Sequence, residues 1–515
     1  MKYRKSALQI EKYQLIHKLR KQPAKASPAT ATPFSAPAIA GLEKEIKGQI
    51  VWPTSKGYNQ AKQEFDDIYP ANPLLIVYAA NYLDVRSALA FAHEYNLHTA
   101  IRSGGHSFGN YSVCDGMVID VSRLNNIYVN AAEKTAFVET GCNFEKIFPA
   151  LELYGLHMPG GGCPTVCVGG FMQGGGYGTT SRMYGMNCDN VLECTVMLAD
   201  GRIVVANAKK NADLFWALRG GTGGNFGVLL NIKYKLYTLG DICGIQIKWP
   251  IEDDPAVAAE VMVAMQKNYL GKNAFPNLGI ETILTSDADD NNRKKIFFCA
   301  TWIGDSESFM EALKPLLKIG KPESRPLRTG KYSQMNEYAL HDTPKTPDDV
   351  KAYSRSAIIG RSLQKNEWEE ILRFFLTAPN QYTMIDMEFY GGEINNVPVG
   401  SNAFIHRNAK MDFFCLAFFD AKTNDQRQCD EWMAAYYKFM ETYGNGHSYQ
   451  NYPDRKQEDF RWAYWGKYYN QLVAIKNKYD PKNFFRYQQS IGPELLKDKR
   501  QISLFDNKKI VYETY

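Results

Sequence analysis

Glycine is concentrated in three loops of this chain, and no other feature narrows its fold so far. SGGHSFGNYS (103–112), GLHMPGGGCPTVCVGGFMQGGGYG (155–178) and RGGTGGNFG (219–227) lie among short apolar runs of strand length. Glycine lets a backbone approach a ligand closely and aim N–H donors at it, so loops of this kind suit a phosphate-bearing ligand. None contains G-K-[ST], which excludes a P-loop nucleotidase. QGGGYG (173–178) does not open a helical pattern, and no acidic residue follows at the spacing of a dinucleotide fingerprint. Three such loops together point instead to an extended dinucleotide.

The rest of the composition bounds the reading. A chain of 515 residues suggests two large domains or about three ordinary ones. Sixty Lys and Arg against 55 Asp and Glu leave a net charge of +5, too small a surplus for a dedicated nucleic-acid binder. The ten cysteines show no C-x-x-C pair and no His/Cys metal spacing, so neither a disulfide framework nor a metal site is expected. No apolar run reaches the roughly 18 residues of a membrane span. The first residues, MKYRKSALQIEKYQLIHKLRKQ, are interrupted by charge throughout and lack the apolar core of a secretory signal. A cytoplasmic protein that meets no membrane is the expectation.

Periodicity divides the chain into four stretches. Residues 1–69 read as a basic amphipathic helix (1–22), a Pro/Ala-rich linker ending at Gly41, and a lead-in. Residues 70–239 alternate short strands with helices. They include PLLIVYAA (73–80), the helix VRSALAFAHEY introduced by Asp84, LHTAIR (97–102), and a hairpin turning at Asp200–Gly201. In 240–445 the glycine clusters stop, and strands such as KIFFCATWIG, MIDMEFYGG and MDFFCLAFFD mix with amphipathic helices. Residues 446–515 are aromatic-rich, with one more helix over 459–478.

Two reactive side chains sit inside the glycine loops. His106 lies between glycines in RSGGHSFG, and Cys163 follows three glycines in GGGCPTV. Each alone reads as an ordinary loop residue. Together they suggest an electron-poor ring attached at two points, because imidazole and thiolate are suited to add to one. These segments, with SRMYGMNCDNV (181–191), DLFWALRGGTGGNFGV (213–228), NYPD (451–454) and YDPKNFFRYQQSI (479–491), resemble the berberine bridge enzyme-like flavoprotein oxidases of the vanillyl-alcohol oxidase superfamily. The resemblance covers about 70–240 and 360–495. It implies an α+β fold: a two-part FAD-binding domain of the PCMH type (70–239), a substrate domain built on an antiparallel sheet covered by helices (240–445), and a C-terminal segment (446–515) that returns to the FAD domain.

The resemblance also implies a cofactor and its contacts. FAD is tethered through its 8α-methyl to His106 and through C6 to Cys163. The pyrophosphate rests on the loop at Arg102, Ser103, Gly104, Gly105 and Ser107, with Ser103, Gly104 and Gly105 donating backbone N–H groups. Thr165, Gly169, Gly170, Gly174, Gly175 and Gly178 line the rest of the channel. Gly223, Gly224, Asn225, Gly227 and Val228 add strand-turn backbone, and Asn483 and Gln489 return beside the ring. Val166 takes the place of an oxygen gatekeeper, where a small residue admits dioxygen. The chain departs from the family at Cys167, where glycine is common, and at Phe171, where histidine is common. Cys167 is thereby a rival thiol to Cys163.

Flavin carries the redox step while the protein supplies position and a base. The resemblance makes Tyr452 the base, with Tyr449 and Tyr390 as further catalytic candidates. A phenol ionises near pH 10, so Tyr452 is expected to be lowered by a cation or by hydrogen bonds. Glu388 and His406 are further pocket candidates. The expected activity is oxidation of an alcohol carbon of a small-molecule substrate, namely a sugar, oligosaccharide or glycosylated natural product, with dioxygen reduced to hydrogen peroxide. The alternative is a tailoring oxidase that drives oxidative cyclisation or attacks a C–H next to nitrogen. A flavin-storage protein would keep the fold but has no need of His106, Cys163 and Tyr452 together.

Overall fold

The computed structural model describes residues 33–270, 274–340, 350–420 and 425–495. The basic helix expected over 1–22 lies outside them. The chain is α+β, as expected, and among the described residues three large sheets meet around one cavity, beside a two-stranded ribbon of Leu156–His157 and Tyr237–Thr238.

The first sheet has four strands in the order Gln49–Val51, Leu75–Tyr78, Met117–Asp120, Thr99–Arg102. The last three run parallel, and the run LIVY is buried along its whole length, as parallel strands covered on both faces must be. Helix Tyr82–Glu94 packs on this sheet. Its N-cap is Asn81, whose side chain accepts from Leu83 and Asp84. Asp84, expected to introduce the helix, is instead buried inside it, where its carboxylate accepts the N–H groups of Lys47, Gly48 and Ala80. Part of the supposed linker also folds. Ser35 caps a helix over Ala36–Glu45, with proline in its first turn. Ile39 and Leu42 enter the same core as Phe34, Trp52 and Phe91. Apolar residues at helical spacing outweigh the Pro/Ala bias there.

The second sheet is antiparallel, in the order Ile127–Asn130, Thr135–Glu139, Val228–Lys235, Val191–Met197, Ile203–Asn207. Its last two strands are the hairpin read at Asp200–Gly201, with Gly201 at φ +80°. The glycine-rich stretch 155–178 packs beside this sheet and contains only one short helix, Val168–Gln173.

The third sheet carries the second half of the molecule. Its central strands run Ile242–Pro250, Arg293–Trp302, Leu278–Asp287, Met384–Phe389, Met411–Asp420, Val350–Ile359, all antiparallel. One face buries Ile280, Phe298, Met387 and Phe413 under helices Pro255–Tyr269, Lys365–Leu376 and Gln426–Met440. The opposite face, with Ile283, Met384 and Phe414, turns toward the glycine loops. The helix expected over 459–478 is two helices, Phe460–Trp465 and Tyr469–Tyr479. Gly466 separates them at φ +50°, where an α-helix cannot continue.

Candidate active site

One cavity of about 1100 Å³ runs between the glycine loops and the exposed face of the third sheet. The loop side is backbone-rich because its glycines leave no room for side chains. A Cβ on Gly104 would stand 3.0 Å from the Cys167 backbone nitrogen, and one on Gly178 only 2.0 Å from the Gly160 carbonyl oxygen. At Gly170, which lines the cavity, a Cβ would meet nothing within 4 Å, so the open space beside it is bounded by bare backbone. This is the surface a flat, phosphate-bearing cofactor needs, and the residues fit FAD on that ground.

The two expected anchors stand together. His106 lines the cavity and stacks on Phe65 with ring centres 4.7 Å apart. Its Nε2 lies 3.1 Å from the Thr165 hydroxyl, and that hydroxyl lies 3.3 Å from Cys163 Sγ. Cys163, Cys167 and Cys114 all border the cavity, but Cys163 is exposed and the other nine cysteines are buried. Cys167 turns its thiol to the Gly141 carbonyl at 3.3 Å. Burial and that hydrogen bond set it apart from Cys163 as a nucleophile.

Of the other residues expected at the cofactor, Ser103, Gly104, Gly105, Ser107, Val166, Gly169, Gly170, Gly178, Gly227 and Gln489 line the cavity, as do Gly223 and Gly224. Several do not. Arg102 is fully buried, with its Nε 2.6 Å from Asp120 and an N–H donated to the Tyr78 hydroxyl. Register pairs Arg102 with Asp120 on neighbouring strands, so the ion pair fastens the base of the loop and leaves the arginine no reach into the cavity. Thr165 stands behind the two anchors it joins. Gly174 packs against Asn451 and Gly175 against Phe404, and Val228 belongs to the buried core. Asn483 lies in a separate shallow groove with Arg461 and Arg486. Gln489 reaches the cavity but spends its amide on the Asp454 and Gln457 carbonyls and accepts from Tyr464.

The opposite wall is acidic and aromatic. Tyr452 stacks on Phe414 at 3.6 Å, nearly parallel, and its hydroxyl donates to Glu388 Oε1 at 2.5 Å. Glu388 is 4% exposed, and its Oε2 has no hydrogen-bond partner among the described residues. Strand pairing explains what surrounds it. Glu388 is directly opposite Glu281 on one neighbouring strand and Asp412 on the other, while Asp386 lies two residues away on the same face. Burial, with like-charge repulsion from Asp412, holds Glu388 well above the usual carboxylate range, and burial with Glu281 nearby does the same to Asp386. Burial also raises Glu281 and pushes Asp412 up to about 7.

The phenol departs from expectation. Burial and the neighbouring Glu388 raise Tyr452 well above 10 instead of lowering it. Its partner is a carboxylate that accepts its proton, where a cation would have stabilised the phenolate. Tyr449 also lines the cavity, at right angles to Tyr452 with centres 5.0 Å apart. Its oxygen accepts from Gly176 N–H at 2.7 Å and from the Asn451 amide at 2.9 Å, which ties it to the glycine loop. Tyr390 does not reach the cavity. It is fully buried behind Tyr177, on which it stacks at 5.6 Å. His406 is buried against Gln450, and burial lowers it to about 3. Phe171 fills the space beside Gly161 and Gly176 and meets Phe144 edge-on.

Sequence reasoning passed over Glu281, Asp386 and Phe414. The available signal was an acidic residue at alternate positions of otherwise apolar strands, as in MIDMEF and LGIETIL.

Comparison with known proteins gives the following. Residues 73–207 match the family described as FAD binding domain, and 448–492 match berberine and berberine like. The FAD-linked oxidoreductase YvdP of Bacillus subtilis is 31% identical over 459 residues, covering 87% of this chain and 99% of that protein. Monolignol oxidoreductase AtBBE-like 13 of Arabidopsis thaliana is 28% identical, covering 80% and 82%. Among solved structures, BBE-like 1 of Physcomitrella patens superposes with a TM-score of 0.80 at 26% identity, over 89% of this chain and 99% of that one.

Proposed function

The chain belongs to the berberine bridge enzyme-like FAD-linked oxidoreductases, and from that premise we propose that it oxidises an alcohol carbon of a sugar, oligosaccharide or glycosylated natural product, with FAD held covalently at His106 and Cys163 and dioxygen as the final acceptor. The observation that carries this reading is the 2.5 Å hydrogen bond from Tyr452 to Glu388 on the cavity wall.

FAD bound there would supply the hydride acceptor for the substrate carbon, with dioxygen as the proposed final electron acceptor. The chain's own part is the proton. An alcohol that loses hydride must also lose its hydroxyl proton, so a positioned acceptor lowers the barrier. Tyr452 is a poor base alone because burial raises it. Joined to Glu388 it is a relay: Tyr452 accepts the substrate proton as it passes its own to Glu388. A carboxylate raised out of its usual range is the stronger base for that purpose. Glu281 and Asp386 add acceptors for other hydroxyls beside the apolar rings of Phe108 and Phe414, a combination suited to a polyhydroxylated ring. His106 and Cys163 flank the cavity from the loop side, which supports double attachment.

One observation favours the second reading, oxidation beside nitrogen. Glu281, Asp386 and Glu388 would hold a substrate ammonium group as readily as hydroxyls.

Two measurements test the proposal. Protein precipitated with acid should carry its yellow colour into the pellet, and free FAD in the supernatant over a colourless pellet would reject the attachment. In a screen of sugars and phenolic glycosides for peroxide release, with amines as the comparison arm, Tyr452→Phe should lower turnover about 10²–10⁴-fold. An unchanged rate would remove Tyr452 from the reaction, and turnover of amines alone would select the second reading.

A further inference from the structure

The Thr165 hydroxyl joins His106 to Cys163 without itself bordering the cavity that both of them line. Its oxygen is one donor and two acceptor sites, enough to receive a hydrogen bond from one neighbour and give one to the other at the same time. The distances, 3.3 Å to sulfur and 3.1 Å to nitrogen, fit a continuous chain from thiol to hydroxyl to imidazole. Pro164, between Cys163 and Thr165, fixes the local backbone, and the Val166 N–H closes the turn on the Cys163 carbonyl at 3.3 Å. The turn therefore presents the thiol and the hydroxyl to the same side.

We propose that Thr165 is a positioning residue that passes the Cys163 thiol proton to His106, so that the sulfur attacks as thiolate. Cys163 S–H donates to Thr165 Oγ1 while Thr165 O–H donates to His106 Nε2. One concerted shift leaves a thiolate on Cys163 and a proton on the imidazole. This inference rests on the double attachment proposed above and names the group that drives its sulfur half. In that half the flavin C6–H bond and the thiol S–H bond break and a C6–S bond forms. Two protons and two electrons leave, and dioxygen takes both pairs as hydrogen peroxide. The thiolate is the nucleophilic form of cysteine, so the rate of this link follows how readily the thiol loses its proton.

The test uses the full chain made in flavin-limited cells and then supplied with FAD in air. Samples quenched with acid over time are digested, and the peptides bearing residues 106 and 163 are weighed for added flavin. Thr165→Val, close in shape but without the hydroxyl, should slow the sulfur link by at least about tenfold. Thr165→Ser should keep the wild-type rate. Raising the pH into the range where an unassisted thiol ionises should restore the rate in Thr165→Val. A wild-type chain that acquires neither link overturns the attachment itself. A wild-type chain with both links, together with a Thr165→Val variant that forms the sulfur link at the same rate, overturns the relay alone. A Thr165→Ser variant as slow as Thr165→Val also overturns it, because the hydroxyl would then not be the active feature.

Discussion

At the scale of single residues, the site is a case of side chains whose roles follow from one neighbour each. Tyr452 is useful because Glu388 accepts from it, Cys163 differs from Cys167 because it is exposed, and Arg102 is spent on Asp120. Val166 lines the cavity on the loop side, and the proposed use of dioxygen makes its size the feature to test. Val166→Ile is expected to cut peroxide release about tenfold or more while reduction by substrate under a dye acceptor stays within about twofold. Parallel assays with oxygen and dye check this, and equal losses in both would assign Val166 to packing. That His106, Cys163 and Tyr452 border one cavity was legible in the chain because their motifs are local. The carboxylates around Glu388 were not, since only strand pairing brings Glu281 and Asp412 beside it. The direction of the Tyr452 shift was also hidden, because it depends on which strand residue, some 60 positions earlier in sequence, accepts its hydrogen bond.

Whole elements show the same division. The strand at 75–78 and the hairpin at 191–207 follow directly from apolar runs and an Asp-Gly turn. The helix Ala36–Glu45 was obscured by its Pro/Ala composition, and the break at Gly466 needed a backbone angle that no periodicity reveals. The strand Met411–Asp420 carries a stability test. Asp412 is fully buried beside Glu388, accepts from Ser356 at 2.5 Å, and is raised by burial from 3.8 to about 7. Its carboxyl is protonated in both folded and unfolded chains below the lower value. As pH rises from there through about 7 the unfolded chain releases the proton first, so the folded state loses stability. Asp412→Asn removes that loss. The variant should melt a few degrees higher than wild type above pH 7, with the gap closing toward pH 4, as followed by thermal scans across that range. A gap that stays constant with pH would show that this carboxyl does not titrate there.

Taken as a whole, the molecule places a backbone-rich wall and a wall rich in side chains on two separate stretches of chain, with the segment 448–492 adding further lining to the space between them. No helix of the described residues is long and apolar enough to cross a membrane. Attachment at both His106 and Cys163, as proposed, would make the cofactor part of the covalent structure. Melting of the wild-type protein should therefore be independent of added FAD. In a variant with both His106→Ala and Cys163→Ala it should rise with FAD concentration, by about 2.7 kcal/mol of added stability at a hundredfold excess over Kd. Thermal scans with and without FAD distinguish the two, and a wild type that also responds would argue for reversible binding.

The third sheet gives this architecture a historical dimension. Its two faces answer to different masters: alternate residues such as Met387 and Phe413 keep the strands packed beneath the helices, while Ile283, Met384 and Phe414 between them border the cavity. Exchanges at the second set leave the strand ladder as it is. A lineage descended from such a chain is free to change its diet through a handful of strand positions while inheriting its electron chemistry intact.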